Sequence, residues 1–323
     1  MSSPARLQAD VQPAWMRTGE YRPVTQSHDS LAAHITRAAS RQTYYTIRFL
    51  VDHERVEDAF RAYGYFRWVD DTIDADDLTP EQRIAFFERQ RTLADSCYKG
   101  IPLRVRTLEE QLLIDLIRSD TEPDSPLRSY IEHMLWIMDF DARRRGTYVD
   151  QATLDEYTRH LAVAVTDCMH YFIGHDDPLP PVEIRYCAVI AAHITHLLRD
   201  TFEDTAAGYF NVAREFVAAH TGDAISPQSE AYRAWVKTRV ELARANFKIG
   251  RAYLARLRSF RCRLAGFAYM ARFESVLDAI ERDGYRLRAD YPERKRLAGV
   301  AKLIASTLGR TVGLPLLAKF QRA

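Results

Sequence analysis

Cysteine is scarce in this chain: Cys97, Cys168, Cys187 and Cys262 are the four present in 323 residues. They are scattered, with neither a paired framework nor metal-ligand spacing, so reduced thiols in a cytoplasmic protein are the expectation. Glycine and proline are also few, 13 of each. No linker rich in them divides the chain, although its length alone would suggest about two domains. A Gly-rich dinucleotide fingerprint is missing. Long apolar runs are missing too: the opening Met-Ser-Ser-Pro-Ala-Arg has no export-signal core, and the most apolar stretch, residues 187–198, is short and carries His193 and His196. No transmembrane span is expected, while peripheral contact with a membrane surface stays open. A formal charge of +1 excludes a nucleic-acid partner recognised by bulk charge. The basic run Arg143-Arg144-Arg145 reads as an ordinary exposed helix end.

What the chain does have is helical periodicity. Val56, Ala59, Phe60, Tyr63 and Val69 recur at helical spacing, and similar stretches fill most of the sequence. The reading is one all-α domain over residues 30–323, preceded by a poorly ordered arm over residues 1–29 that mixes Pro, Ser, Gln and charge. Helices are expected over residues 43–50, 54–73, 127–144, 154–173, 182–202, 230–257 and 264–282, with a final amphipathic piece at 296–305. Thr79-Pro80-Glu81 has the form of a helix start, a hydroxyl cap followed by proline in the first turn. Breaks are expected at residues 100–102, 121–126, 174–181 and 222–227.

Two acidic motifs stand out, Asp70-Asp71-Thr72-Ile73-Asp74 and Asp200-Thr201-Phe202-Glu203-Asp204. On a helix, Asp70 and Asp74 share one face, as do Asp200 and Asp204. Like charges at that spacing cost about 0.2–0.5 kcal/mol in an isolated helix, so a cation should offset the clustering. Hard divalent cations take carboxylate oxygens and share their remaining positions with phosphates, which makes Mg²⁺ the first candidate and a diphosphate its natural companion. Acidic runs at helix ends are also ordinary solvated faces, and either motif alone fits that description.

The residues around these motifs resemble the squalene/phytoene synthase family. Arg41-Gln42-Thr43-Tyr44-Tyr45 through Tyr65-Phe66-Arg67-Trp68-Val69-Asp70 is similar to its first characteristic block. Leu154-Asp155-Glu156-Tyr157 with Leu161-Ala162-Val163-Ala164-Val165 resembles its central helix. Leu198-Arg199-Asp200 with Glu203-Asp204 resembles its second acidic block, and the run from Phe273 to Tyr285 its C-terminal helix. The resemblance implies a class I isoprenoid synthase-type helical bundle with a central cavity. It also implies an enzyme that ionises an allylic prenyl diphosphate with Mg²⁺ held by Asp70, Asp71, Asp74, Asp200, Glu203 and Asp204. Arg67 and Arg199 match arginines that contact diphosphate oxygens, and Arg41 and Thr43 are carried as further contacts; both matched arginines also suit a plain structural role beside the carboxylates. Tyr44, Tyr45 and Phe66 could face the carbocation or simply fill the core.

Three departures from the family fall where the outcome of the reaction would be decided. His193 and His196 replace a Gln and an Asn, and imidazole is a poorer Mg²⁺ ligand than an amide oxygen. Val163 and Thr166 replace small glycines, with Asp167 in a usually apolar place, which narrows a channel and suits a polar guest. The family's Arg, Tyr and Pro after the second motif are absent from Gly208-Tyr209-Phe210-Asn211-Val212-Ala213. These changes keep the means to ionise one donor and erode the site for a second. The leading expectation is therefore transfer of one short prenyl group, C5 or C10, to a small non-isoprenoid acceptor, with aromatic acceptors foremost. His193, His196 or Asp167 would serve as the base that takes the acceptor's proton, with core packing as the bland account of the histidines. Head-to-head condensation of two donors and a non-catalytic assembly role are the alternatives.

Overall fold

Helix boundaries follow local capping chemistry. Thr79 accepts from the Gln82 backbone N–H while the Gln82 side chain accepts from the Thr79 N–H, and Pro80 occupies the first turn. Ser125, Asp150, Ser229 and Ser259 cap later helices by accepting from the backbone N–H three residues on. The computed structural model describes residues 29–75, 77–102, 104–122, 125–174, 182–220 and 226–292. Most of the expected arm and the expected piece at 296–305 lie outside the described residues.

Among the described residues there are twelve α-helices and no strand. They are α1 (Asp29–Ala39), α2 (Arg41–Leu50), α3 (Val56–Ile73), α4 (Pro80–Tyr98), α5 (Leu108–Ser119), α6 (Pro126–Arg144), α7 (Gln151–Ile173), α8 (Cys187–Arg199), α9 (Thr201–Ala206), α10 (Arg214–Ala219), α11 (Glu230–Leu254) and α12 (Phe260–Arg282). The fold is all-α, as expected. One expected helix, over 182–202, is divided: a 3-10 turn (Glu183–Tyr186) leads into α8, and Asp200 separates α8 from α9. The Thr201 hydroxyl donates to the carbonyls of Leu197 and Leu198, and such bonding back into the preceding turn bends a helix. The Asp204 N–H still reaches the Asp200 carbonyl at 2.8 Å. α12 starts four residues before the expected 264, because Ser259 supplies its cap.

The core lies between helix pairs. α6 runs along α7, α11 along α8, and α1 and α5 cover α3. Tyr65, Phe87, Leu113, Ile131, Phe247 and Phe267 are almost fully buried within it. Gly250 marks the closest approach: a Cβ there would stand 2.5 Å from the Ala188 backbone nitrogen at the start of α8. Partner choice along α6 and α7 shows that they are antiparallel. Tyr157 on α7 donates to Asp141 near the end of α6, whereas Asp167 accepts from Ser129 near its start. No helix of the described residues is long and apolar enough to cross a membrane.

Candidate active site

The first acidic motif ends α3, and its backbone is held from below. Buried Arg83 on α4 donates to the carbonyls of Ile73 and Ala75, a cation set against a helix C-terminus. Arg67 forms a two-pronged pair with Asp71, Nε to Oδ2 at 3.1 Å, and lies 3.5 Å from Asp70. Burial, followed by Asp74, Asp141 and Asp71, pushes Asp70 up to about 7, against the pull of Arg67.

The second motif straddles the α8–α9 break. Arg199 donates from Nε to Asp200 Oδ1 at 2.5 Å and from Nη2 to Oδ2. His196 Nε2 stands 2.7 Å from Asp200 Oδ2. Burial alone would raise Asp200, but these hydrogen bonds outweigh it and hold the carboxyl below the usual range. Asp204 behaves oppositely: burial, then Asp200, Glu203 and Asp141, push it up to about 7, with Arg144 opposing. Glu203 is exposed on α9.

What brings the motifs together is a set of residues that carried no role in the sequence reading. Asp141 acts electrostatically on Asp70 and Asp204 alike, and Asp74 acts on it in turn. Arg144, expected at an exposed helix end, is 6 % exposed and donates to Asp141 at 2.8 Å and to Asn211 Oδ1 at 3.0 Å. Asn211 Nδ2 donates to Asp204 Oδ2 at 2.7 Å, and the Tyr209 hydroxyl to Asp74 Oδ1 at 2.9 Å. The segment that lacks the family's Arg, Tyr and Pro is thus in direct contact with both motifs. Arg143 does match the expected exposed end, pairing with Asp139 and Glu88. A three-residue spacing between Asp141 and Arg144 was the one local signal; Tyr209 and Asn211 left none.

The remaining expected residues are spread more widely. His193 is 3 % exposed, bonds Thr158 at 3.1 Å and packs edge-on to Tyr157; burial holds its imidazole well below the ordinary value. Asp167 is not gathered with the motifs. It accepts from Ser129 at 2.8 Å and faces Arg185 at 3.5 Å, about 15 Å along α7 from Tyr157 at helical rise. Phe66 is buried against Tyr65 and Tyr130, Val163 packs on Tyr186 and Val189, and Thr166 is 1 % exposed. Tyr44 rests edge-on to Tyr45, which stacks on exposed Phe49 at the surface. Arg41 is exposed in the first turn of α2, and Thr43 donates to the capping Ser40. A cavity of about 50 Å³ lies behind the second motif, lined among others by Thr201, Tyr209, Asn211 and Tyr232. None of the five expected pocket residues lines it.

Among the described residues, no three His, Cys, Asp or Glu side chains converge tightly enough to form a metal cage. The donor set nonetheless fits Mg²⁺, which binds through one or two carboxylates completed by water and substrate phosphates more often than in an all-protein cage. Both motifs offer such oxygens, and neighbouring carboxylates add to the burial that raises Asp70 and Asp204, an excess of negative charge that a cation would relieve.

The all-helical bundle with its two neighbouring acidic motifs, each beside an arginine, agrees with the resemblance read from the sequence. The family model for squalene/phytoene synthase matches residues 36–298, and the chain belongs to that family. Its members are prenyltransferases, and this protein is an enzyme of that kind. The squalene synthase HpnC from Alicyclobacillus acidocaldarius is similar at 20 % identity and TM-score 0.62, over 81 % of this chain and 95 % of that one. A dehydrosqualene synthase in complex with ligand is similar at 16 % identity and TM-score 0.64, over 88 % and 96 %. TcSQS in complex with the ligand E5700 is similar at 16 % identity and TM-score 0.66, over 89 % of each chain. No curated protein sequence matches.

Proposed function

We propose that this protein is a Mg²⁺-dependent, cytoplasmic prenyltransferase that moves one short prenyl group, C5 or C10, from its diphosphate to a small non-isoprenoid acceptor, aromatic acceptors foremost. The observation that carries the one-donor reading is the His196 imidazole, 2.7 Å from Asp200 Oδ2. It contacts a carboxylate oxygen of the second motif where the family carries an Asn associated with the second metal group. Packed Val163 and buried Thr166 support the same reading, since they fill space that a second long chain would need.

In this reading Asp70, Asp71, Asp74, Asp200 and Asp204, with Glu203 at the rim, would hold Mg²⁺, whose charge would neutralise the diphosphate as a leaving group. Arg67 and Arg199 present planar forks suited to the diphosphate oxygens. The allylic C–O bond breaks with its electron pair leaving on diphosphate. The acceptor atom bonds to the cationic carbon and gives up one proton. His196, half-exposed and oriented by Asp200, suits that proton better than His193, whose burial weakens it as a base. Head-to-head condensation keeps one specific support, the synthases among the similar structures.

Product analysis separates the two. Farnesyl or geranylgeranyl diphosphate supplied alone with Mg²⁺ should give no C30 or C40 hydrocarbon, whereas a short donor with an acceptor panel should give a monoprenylated product that disappears in excess EDTA. Squalene, phytoene or their cyclopropyl diphosphate precursors detected by mass spectrometry would overturn the one-donor reading.

A further inference from the structure

The segment from Gly208 to Ala213 is held to the α6–α7 turn at several points. Gly208 adopts φ +88°, and its carbonyl accepts from the Gly146 N–H at 2.8 Å. Arg145 Nε donates to the Ala207 carbonyl at 2.8 Å, and the Tyr209 N–H to the Asp204 carbonyl at 2.7 Å. Its side chains then reach in opposite directions. Tyr209 takes one oxygen of Asp74, and Asn211 takes one oxygen of Asp204.

Asn211 is itself fixed. Its amide oxygen accepts from Arg144 and its amide nitrogen donates to Asp204, so the two partners determine which way the amide faces. Arg144 is held in turn: its guanidinium lies over the rings of Phe140, Tyr157 and Tyr209, and Nε donates to Asp141. Asp141 accepts from the Tyr157 hydroxyl at 3.0 Å. A continuous hydrogen-bonded chain thus runs from α7 through α6 to the second motif, and Tyr209 extends the same segment to the first.

We propose that Tyr209 and Asn211 are positioning residues that each hold one oxygen of Asp74 or Asp204 and leave the other for the metal–diphosphate group of the donor. The inference rests on the donor-binding reading above. A neutral donor fixed on one carboxylate oxygen sets the direction of the second without competing for it, and outer hydrogen bonds of this kind are worth about 10–100-fold in metal affinity. Tyr209 and Asn211 thus place uncharged donors on the two carboxylates, in a segment that lacks the family's Arg, Tyr and Pro.

The test is calorimetric titration of the full-length protein with inorganic diphosphate in the presence of Mg²⁺. Tyr209→Phe and Asn211→Ala should each weaken binding by roughly 10-fold, with the thermal midpoint in EDTA held within about 2 °C of the wild type. Asn211→Asp, which keeps an acceptor for Arg144 and loses the donor to Asp204, should weaken binding as much as Asn211→Ala. Affinity within twofold of the wild type in Tyr209→Phe and Asn211→Ala would overturn the inference and leave the functional reading standing. So would a loss of affinity that only follows a lowered thermal midpoint. A wild-type protein that binds no diphosphate with Mg²⁺ would instead overturn the functional reading beneath it.

Discussion

Gly250→Ala tests how the fold sets the second acidic motif. In an ordinary helix interior the change would stabilise by about 1 kcal/mol through propensity. Here the new Cβ would meet the Ala188 nitrogen at 2.5 Å and its Cα and Cβ at 2.7 Å, against ordinary contacts of 3.4–4 Å. The obstacle is largely backbone, so no rotamer change relieves it, and α8 must move away from α11 by close to an ångström. Overpacking of a core costs about 1–3 kcal/mol, and a backbone clash belongs at or beyond the upper end. The expected net loss is about 2 kcal/mol, read by urea unfolding. Because α8 carries His196, Arg199 and Asp200 at its other end, prenyl transfer should fall further than stability alone explains; misplacement by about 1 Å costs up to 100-fold. Gly266→Ala is the control. Its Cβ would meet the Leu254 side chain, Cδ2 and Cδ1 at 2.7 and 2.8 Å and Cγ at 3.3 Å, with no backbone atom among these contacts, so the side chain can give way and a loss of about 1 kcal/mol is expected. A Gly250→Ala protein as stable as the wild type would refute the argument.

The carboxylates give a pH-dependent outcome. Asp70 has an ordinary value of 3.8 and is raised to about 7 in the folded chain, so the folded state holds its proton longer and this residue's contribution to stability is lost as pH rises from about 4 to about 7. In EDTA, Asp70→Asn should therefore stabilise the protein at pH 8, by about 1 kcal/mol after allowing for the 43 % exposure of the side chain, with the gain shrinking toward zero near pH 4. A gain independent of pH would contradict this. His196→Asn separates a proton-accepting imidazole from a metal ligand: as a base its loss should lower transfer by at least about 100-fold with donor affinity kept in calorimetry. Retained or improved turnover would assign the position to the metal.

The acidic motifs and the helix start at Thr79 were legible because their signals are local, whereas the caps Asp150 and Ser259 were missed. Thr79, Gln82 and Pro80 act within one turn, and the spacing of the aspartates follows from helical geometry. The division of α8 from α9 was not legible, since it depends on where the Thr201 hydroxyl finds an acceptor. His193 and His196 read alike in the sequence, yet three residues of helix turn one toward Thr158 in the core and the other toward Asp200. Asp167 looked equally placed for catalysis. The antiparallel course of α6 and α7 carries it to Ser129, away from Asp141. Arg144 and Asn211 escaped notice because the contact that defines them spans 67 residues of sequence.

The two arginine–carboxylate pairs, Arg67 with Asp71 and Arg199 with Asp200, make the site its own counter-ion reservoir. A divalent cation arriving alone would have to displace a guanidinium that stays charged at any working pH, and the displaced charge would be left beside the newcomer. A dianionic or trianionic guest arriving alone would meet carboxylates still in place. When cation and diphosphate arrive together, each guanidinium exchanges one anion for another and no charge is stranded. Under the proposed function, uptake of the two would thereby be thermodynamically linked, each raising the other's affinity by the same factor.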